Sequence, residues 1–168
     1  YLNEMKSLID VLIPGFEEYK MYSIITHPDI DHCGMMELFE KVYVSKDAYD
    51  NFKFENEGKL NFREQYQNHE PYVKMSKILS SYIPPKMEQL KVIDNGKTGL
   101  LDLIGEVEIE GLTYKLYNGN GGHSTGEVVI TLDDIIFSGD ILVNPKGYTD
   151  EQREFNGLAP YLMTSVNM

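Results

Sequence analysis

The stretch that organises the chain runs from Tyr22 to Gly34 and reads YSIITHPDIDHCG. Its β-branched opening, Ser23 to Thr26, is too short for a helix and predicts a buried strand. Pro28 lacks an amide hydrogen and restricts the residue before it, so the strand must end at the Thr-His-Pro junction. The polar side chains that follow are therefore expected on an irregular loop past the carboxyl end of a strand. The apolar residues after Gly34 predict a helix that begins at once.

This loop carries four potential metal ligands within six positions, which are His27, Asp29, Asp31 and His32. Neutral imidazole suits zinc and other transition ions, whereas carboxylates suit harder cations and bridge pairs of ions. So many ionisable groups on one loop are typical of a metal site. The alternative is a polar loop whose side chains make ordinary hydrogen bonds without a metal.

Two later loops carry residues of the same kind. A glycine-rich loop after one predicted strand contains His123, and Ser138-Gly139-Asp140 follows another. The flanking residues alternate with a period of two and predict hairpins about Glu110-Gly111 and Asp133-Asp134. Three ligand-bearing loops that each follow a strand predict a single site at one edge of a sheet. Its candidate ligands are His27, Asp29, Asp31, His32, His123 and Asp140.

The composition narrows the classes of protein and partner. A chain of 168 residues with 42% hydrophobic and 25% charged residues suits one soluble globular domain over residues 1–168. The net charge of −12 argues against nucleic acids and anionic membranes as partners, because both would repel the chain. The single cysteine, Cys33, excludes an intrachain disulfide and favours a cytoplasmic location. A small-molecule substrate is the expected partner, and the sequence indicates no particular oligomeric state.

Helical periodicity predicts the elements around the strands. Residues 2–13 place apolar side chains on one face and predict a helix packed on the sheet. Ser45 follows a short predicted strand and is the expected N-cap of a helix. A helix that starts at Pro71 is expected to bury its methionine and aromatic stripe in the core. Residues 54–90 are expected to shape the substrate site, with His69 as a surface residue.

The three motifs resemble those of the metallo-β-lactamase superfamily. That superfamily carries His-x-His-x-Asp-His on a loop after a strand. Here the string is His27-Pro28-Asp29-Ile30-Asp31-His32, with Asp29 where most members have the second histidine. Gly-His-Ser-Thr-Gly around His123 and Ser-Gly-Asp at Asp140 are similar to its third-histidine and bridging-aspartate loops. The resemblance covers residues 22–143 in the same order and implies an α/β fold of the αββα sandwich type with a dinuclear site.

The resemblance also implies a distribution of ligands. The first ion would be held by His27, Asp29 and His123. The second would be held by Asp31 and His32, with Asp140 as the bridge. The superfamily normally has one more histidine in its second site, and residues 141–168 contain none. Strands that usually precede the first helix are also missing, so the chain is expected to be a partial domain, truncated at both ends, or a degenerate one.

The expected function is a metal-dependent hydrolase that uses water activated by one or two cations, with zinc as the first choice. The bond cleaved would be an ester, thioester, lactone, amide or phosphodiester bond. Asp31 is the candidate for proton transfer, and Cys33 is expected to be a small packed residue. Asp29 favours iron or manganese over zinc, because a carboxylate is the harder ligand. Two alternatives stay open: a diiron redox protein like the flavodiiron branch of the superfamily, and a metal-poor relic used for binding.

Overall fold

The computed structural model describes residues 2–61, 70–96, 102–119, 123–141 and 149. Within these ranges the chain is a mixed α/β fold with four α-helices and two β-sheets. The helices are α1 (Leu2–Leu12), α2 (Ile30–Cys33), α3 (Lys46–Asn56) and α4 (Glu70–Ser80). The strands are β1 (Tyr22–Ile24), β2 (Lys41–Val44), β3 (Leu90–Val92), β4 (Leu103–Ile109), β5 (Leu112–Asn118), β6 (Val128–Leu132) and β7 (Ile135–Phe137). Single 3₁₀ turns lie at Phe16–Glu18, Met36–Leu38, Met87–Gln89 and Gly139–Ile141.

The first sheet is parallel, with the strand order β1-β2-β3. Val42 and Val44 of β2 are fully buried, while Lys41 and Tyr43 are partly exposed, as the alternation of a strand requires. The predicted helix cap after β2 is confirmed, because Ser45 Oγ accepts a hydrogen bond from the backbone N–H of Ala48 at 3.2 Å. Parallel strands end at the same edge, so the loop after β1 lies at the edge where α3 begins.

The second sheet is antiparallel, and its strands β4 to β7 lie in chain order. Both predicted hairpins are confirmed. The turn between β4 and β5 uses Glu110 and Gly111 at φ 50° and 80°, the left-handed pair that suits a two-residue turn between twisted strands. The turn between β6 and β7 contains Asp133 at φ 51°. These tight turns fix the register of the sheet and therefore the position of the loops at its edge.

Hydrophobic packing holds the two sheets face to face. One cluster joins α3 to the parallel sheet and includes Phe52, which is fully buried against that sheet. A second cluster lies between the sheets, and its members include Ile24, Tyr43, Leu116, Val128 and Ile130. The backbone N–H of Val128 also donates to the Thr26 carbonyl at 2.7 Å. This bond fixes the end of β1 beside the start of β6 and thereby sets the distance between two ligand-bearing loops.

The apolar faces of α1 and α4 are not the core faces that their periodicity predicts. Within the described part of the chain, α1 buries none of its residues, and Leu12 is 80% exposed. In α4 only Val73 is buried, whereas Met75, Ile78 and Leu79 are exposed. Periodicity shows which side chains share a face, but it does not show whether another element covers that face. No helix in the described ranges combines the length and the apolar character that a membrane span requires.

Candidate metal centre

The motif after β1 divides between a short loop and one turn of helix. His27 and Asp29 lie on the loop, and Asp29 is the extended residue immediately before α2, at φ −76° and ψ 150°. Asp31 and His32 lie on α2 itself, so the predicted irregular loop is shorter than expected. The helix that was predicted to begin after Gly34 precedes it instead, as α2, and only the 3₁₀ turn Met36–Leu38 follows. The helix begins at Ile30, directly after the extended backbone of Asp29. The Cys33 thiol donates to the Asp29 carbonyl at 2.6 Å and ties the helical turn to the loop.

One group of candidate ligands brings the loop after β1 against the loop before β6. The members are His27, Asp29 and His123, whose nearest ligand atoms all lie within 4.8 Å of one another. Asp29 Oδ2 is 3.0 Å from His123 Nε2 and 3.6 Å from His27 Nε2. The rings of His27 and His123 meet edge to face, with their centroids 4.8 Å apart. Residues 94 positions apart in the chain thus converge on one point, as the sequence predicts.

A second group shares His27 with the first and adds residues from α2 and from the turn after β7. Its members are His27, His32 and Asp140, again with ligand atoms within 4.8 Å of one another. Asp140 Oδ1 lies 3.5 Å from His32 Nε2, and its Oδ2 lies 3.7 Å from His123 Nε2. The Asp140 carboxylate therefore contacts a histidine of each group, His32 with one oxygen and His123 with the other.

Asp31 is near these groups but belongs to neither. Its side chain is 74% exposed, and its Oδ2 lies 3.7 Å from His32 Nε2. Consecutive residues on a helix point about 100° apart, so α2 directs His32 inward and Asp31 towards solvent. The predicted role of Asp31 as a ligand has less geometric support than that of the other five residues, while its position beside His32 suits the predicted role in proton transfer.

His27 shows why a cation fits this cluster. Its side chain is fully buried, and its Nε2 atom has no hydrogen-bond partner among the described residues. Burial lowers the pKa of His27 to about 3, so the ring is neutral. Its Nδ1 atom lies 3.1 Å from Thr26 Oγ1. In the tautomer protonated at Nδ1, that N–H donates to the threonine hydroxyl and the Nε2 lone pair faces Asp29 Oδ2. A lone pair that faces carboxylates is satisfied by a cation.

His32 and Asp140 influence one another directly. The contact with Asp140 raises the pKa of His32, and the same contact lowers the pKa of Asp140. In the absence of a cation, the contact therefore favours the charged form of each partner. A cation bound between them would take the place of the imidazolium proton.

Three residues that the sequence analysis did not identify make hydrogen-bond contacts with the candidate ligands. Thr26 contacts His27 Nδ1, and Ser124 Oγ donates to Asp29 Oδ1 at 3.0 Å. Glu127 is buried, accepts a hydrogen bond from the His123 backbone N–H at 2.8 Å, and has a pKa that burial raises to about 7. Each is a polar residue close in sequence to a histidine at a strand end, which is the signal that could have identified them.

A cavity of about 620 Å³ opens beside the cluster. Its lining includes Asp29, Asp31, His32, His123 and Asp140 at one end and residues of α4 at the other. The prediction that residues 54–90 shape a substrate site is consistent with this lining, whereas His69 lies outside the described residues.

Comparison with known proteins adds no assignment. No protein-family model matches the chain, and no curated protein is significantly similar to it.

Proposed function

We propose that the chain is a metal-dependent hydrolase of the metallo-β-lactamase type, which holds a divalent cation between His27, Asp29 and His123. The observation that carries this proposal is the buried Nε2 atom of His27, which has no hydrogen-bond partner in the described part of the chain and lies 3.6 Å from Asp29 Oδ2. In the tautomer protonated at Nδ1, the Nε2 lone pair of His27 faces the Asp29 carboxylate, and a cation between them would be a partner for both. Two imidazoles and one carboxylate are also the ligand set of catalytic zinc sites that keep an open position.

A second cation is proposed beside His32 and Asp140. One oxygen of Asp140 lies 3.5 Å from His32 Nε2, and the other lies 3.7 Å from His123 Nε2. The carboxylate could therefore bind both cations, one with each oxygen. Each group has three candidate ligands among the described residues, but His27 belongs to both. A second ion would have to share His27 with the first, so we expect it to bind more weakly.

The chemistry follows from what the site would hold and from what the chain itself supplies. A divalent cation at this position lowers the pKa of water and polarises a carbonyl or phosphoryl oxygen, so no serine or cysteine nucleophile is needed. Thr26 and Ser124 hold His27 and Asp29 in the orientation that presents their ligand atoms. Asp31 lines the cavity with an exposed carboxylate and is placed to accept a proton.

The fold supports the same proposal. Two sheets pack face to face, and α3 covers the outer side of the parallel sheet. The candidate ligands follow β1, precede β6 and follow β7, which is the chain order of the superfamily's motifs. We therefore propose the αββα sandwich as the architecture to which these two sheets belong.

Zinc is the proposed metal. The Asp29 carboxylate is a harder ligand than imidazole, however, and this observation favours iron or manganese. A diiron redox centre is therefore the second candidate function. Metal analysis of protein purified without added metal separates the two, because zinc gives no visible absorption and a diiron centre absorbs visible light. Reduction of oxygen by an iron-loaded form would favour the second candidate.

The proposal is tested by the metal content and activity of matched variants. We expect the unaltered protein to retain zinc after gel filtration, Asp29→Ala to lose it, and the isosteric Asp140→Asn to lose part of it. Asp94→Ala changes an exposed aspartate on the loop after β3 and should retain the metal. Loaded protein should cleave at least one member of a panel of ester, thioester, lactone and phosphodiester substrates. Absence of bound metal would overturn the metal site and favour the metal-poor relic, whereas tight metal binding without hydrolysis of any substrate would count against the hydrolase.

A further inference from the structure

The cavity beside the metal cluster has two chemically different ends. Its volume of about 620 Å³ lies within the range of small-molecule sites. One end is formed by the candidate ligands. The other end, which we call the apolar arm, lies between the 3₁₀ turn after α2 and the first half of α4. The apolar arm is lined by Met35, Met36, Phe39, Tyr72 and Val73.

The apolar arm accounts for the burial of Val73, which belongs to neither of the two hydrophobic clusters of the core. Val73 is the one buried residue of α4, and it lines the cavity together with its neighbour Tyr72. Met35 and Met36 lie just after α2, with Gly34 between, so two apolar side chains line the cavity close to His32. Methionine adapts its shape to a bound apolar group at low cost. The arrangement suits an apolar chain whose reacting end lies at the ligands.

The charges around the cavity are unsuited to an anionic substrate. Among the described lining residues there is no lysine or arginine, and the remaining polar ones are the neutral Ser23, Asn61, Ser76 and Ser80. Both α4 lysines next to lining residues form ion pairs, Lys74 with Glu70 at 2.5 Å and Lys77 with Glu55 at 2.8 Å. The carboxylates of Asp29, Asp31 and Asp140 lie at the ligand end of the cavity. An anionic phosphodiester would find no lysine or arginine among the described lining residues to balance its charge, whereas a neutral carbonyl group needs none.

We infer that this cavity binds a neutral carboxylic ester or thioester with an apolar chain, and that it selects against phosphodiesters. The inference rests on the proposed function for the reaction, but the binding of the apolar chain does not depend on it. In the reaction, the oxygen of one water forms a bond to the acyl carbon, and the bond from that carbon to oxygen or sulfur breaks. One proton of the water ends on the released alcohol or thiol, and the other product is a carboxylic acid.

Binding is tested first, with the neutral and unreactive probe octanamide and metal-free protein. The protein has 8 methionines, whose methyl groups can be observed by carbon-13 NMR after selective labelling. We expect octanamide to shift the signals of Met35 and Met36 and to leave the signal of the exposed Met75 unchanged. Octanamide should bind at least about tenfold more tightly than acetamide, because its six additional methylenes are removed from water.

Two matched variants locate the binding site. Met35→Glu places a charge in the apolar arm and should weaken octanamide binding by about tenfold or more, since an apolar chain cannot satisfy a desolvated carboxylate. Met75→Glu makes the same change on the exposed face of α4 and should leave binding within about twofold of the unaltered protein. Equal weakening in both variants, or no octanamide binding in the unaltered protein, would overturn the inference.

Hydrolysis is tested next, with zinc-loaded protein. We expect para-nitrophenyl hexanoate to be cleaved with a higher kcat/KM than para-nitrophenyl acetate, and bis(para-nitrophenyl) phosphate to be cleaved least. Faster cleavage of the phosphate would overturn the inference while supporting the proposed hydrolase. Octanamide binding with no cleavage of any substrate would instead refute the hydrolase and leave the apolar arm as a binding site.

Discussion

Removal of the Ser124 hydroxyl tests whether Asp29 is a positioned metal ligand. Ser124 is 5% exposed, and its Oγ donates to Asp29 Oδ1 at 3.0 Å. This bond occupies one carboxylate oxygen and leaves Oδ2, which lies 3.0 Å from His123 Nε2, as the oxygen that faces the site. In Ser124→Ala, the carboxylate loses a buried donor and can rotate away from the orientation that a cation requires.

Two independent magnitudes agree for this variant. A hydrogen bond to a charged group contributes about 1.5–3 kcal/mol. Loss of a partner behind a metal ligand weakens metal binding by about 10–100-fold, which corresponds to about 1.4–2.8 kcal/mol. We therefore expect the dissociation constant for zinc to rise by about 10–100-fold in Ser124→Ala.

The assay is competition for zinc with a chromophoric chelator at fixed pH and ionic strength. Thr125→Ala is the matched control, because Thr125 is the next residue of the same loop and its side chain is exposed. A dissociation constant for Ser124→Ala within about twofold of the unaltered value would refute the reasoning, since that is below about 0.5 kcal/mol. If Thr125→Ala weakened zinc binding by the same factor, the effect would belong to the loop as a whole, and this result would also count against a positioning role for Ser124.

Three further predictions concern the protein itself. In metal-free protein, the contact between His32 and Asp140 should stabilise the fold between the ordinary pKa values of 3.8 and 6.5. That stability is lost as the pH falls through the lowered pKa of Asp140 or rises through the raised pKa of His32, and urea unfolding of Asp140→Asn should lack this dependence. Gly58→Ala should cost about 1–2 kcal/mol for its left-handed backbone. Gly126→Ala should cost more, because the added Cβ would lie 2.6 Å from a backbone nitrogen of α3, and equal losses in urea unfolding would contradict this. The Cys33 thiol is fully buried and burial raises its pKa, so it should react with a thiol reagent only after unfolding; rapid reaction in native protein would contradict the packing.

Local chemistry was enough to predict β1, β2, the hairpins and the loops that carry the candidate ligands, whereas β3 was not predicted. The strand expected to reach Thr26 ends earlier, at Ile24, and Glu110-Gly111 forms a tight turn because glycine tolerates a left-handed backbone. The convergence of His27 and His123 was also predictable, since each follows a strand and strand ends meet at a sheet edge. These features depend on residues that are close in sequence.

The direction of individual side chains was less predictable. Asp31 and His32 are neighbours in sequence, yet α2 turns one to solvent and the other to the cluster. The apolar stripe of α4 indicated a core helix, but most of it is exposed and Val73 faces a cavity. Both outcomes depend on which elements lie opposite, which no local pattern records.

The sequence by itself determined which residue types are available to bind a cation and where the chain must turn to present them, because backbone restrictions and side-chain chemistry act locally. The tertiary structure decided that the buried Nε2 atom of His27 has no hydrogen-bond partner among the described residues, that Asp140 contacts a histidine of each group of ligands, and that an apolar arm adjoins them. These properties arise when the Val128–Thr26 bond and the packing between the sheets bring distant segments to one edge and remove them from water.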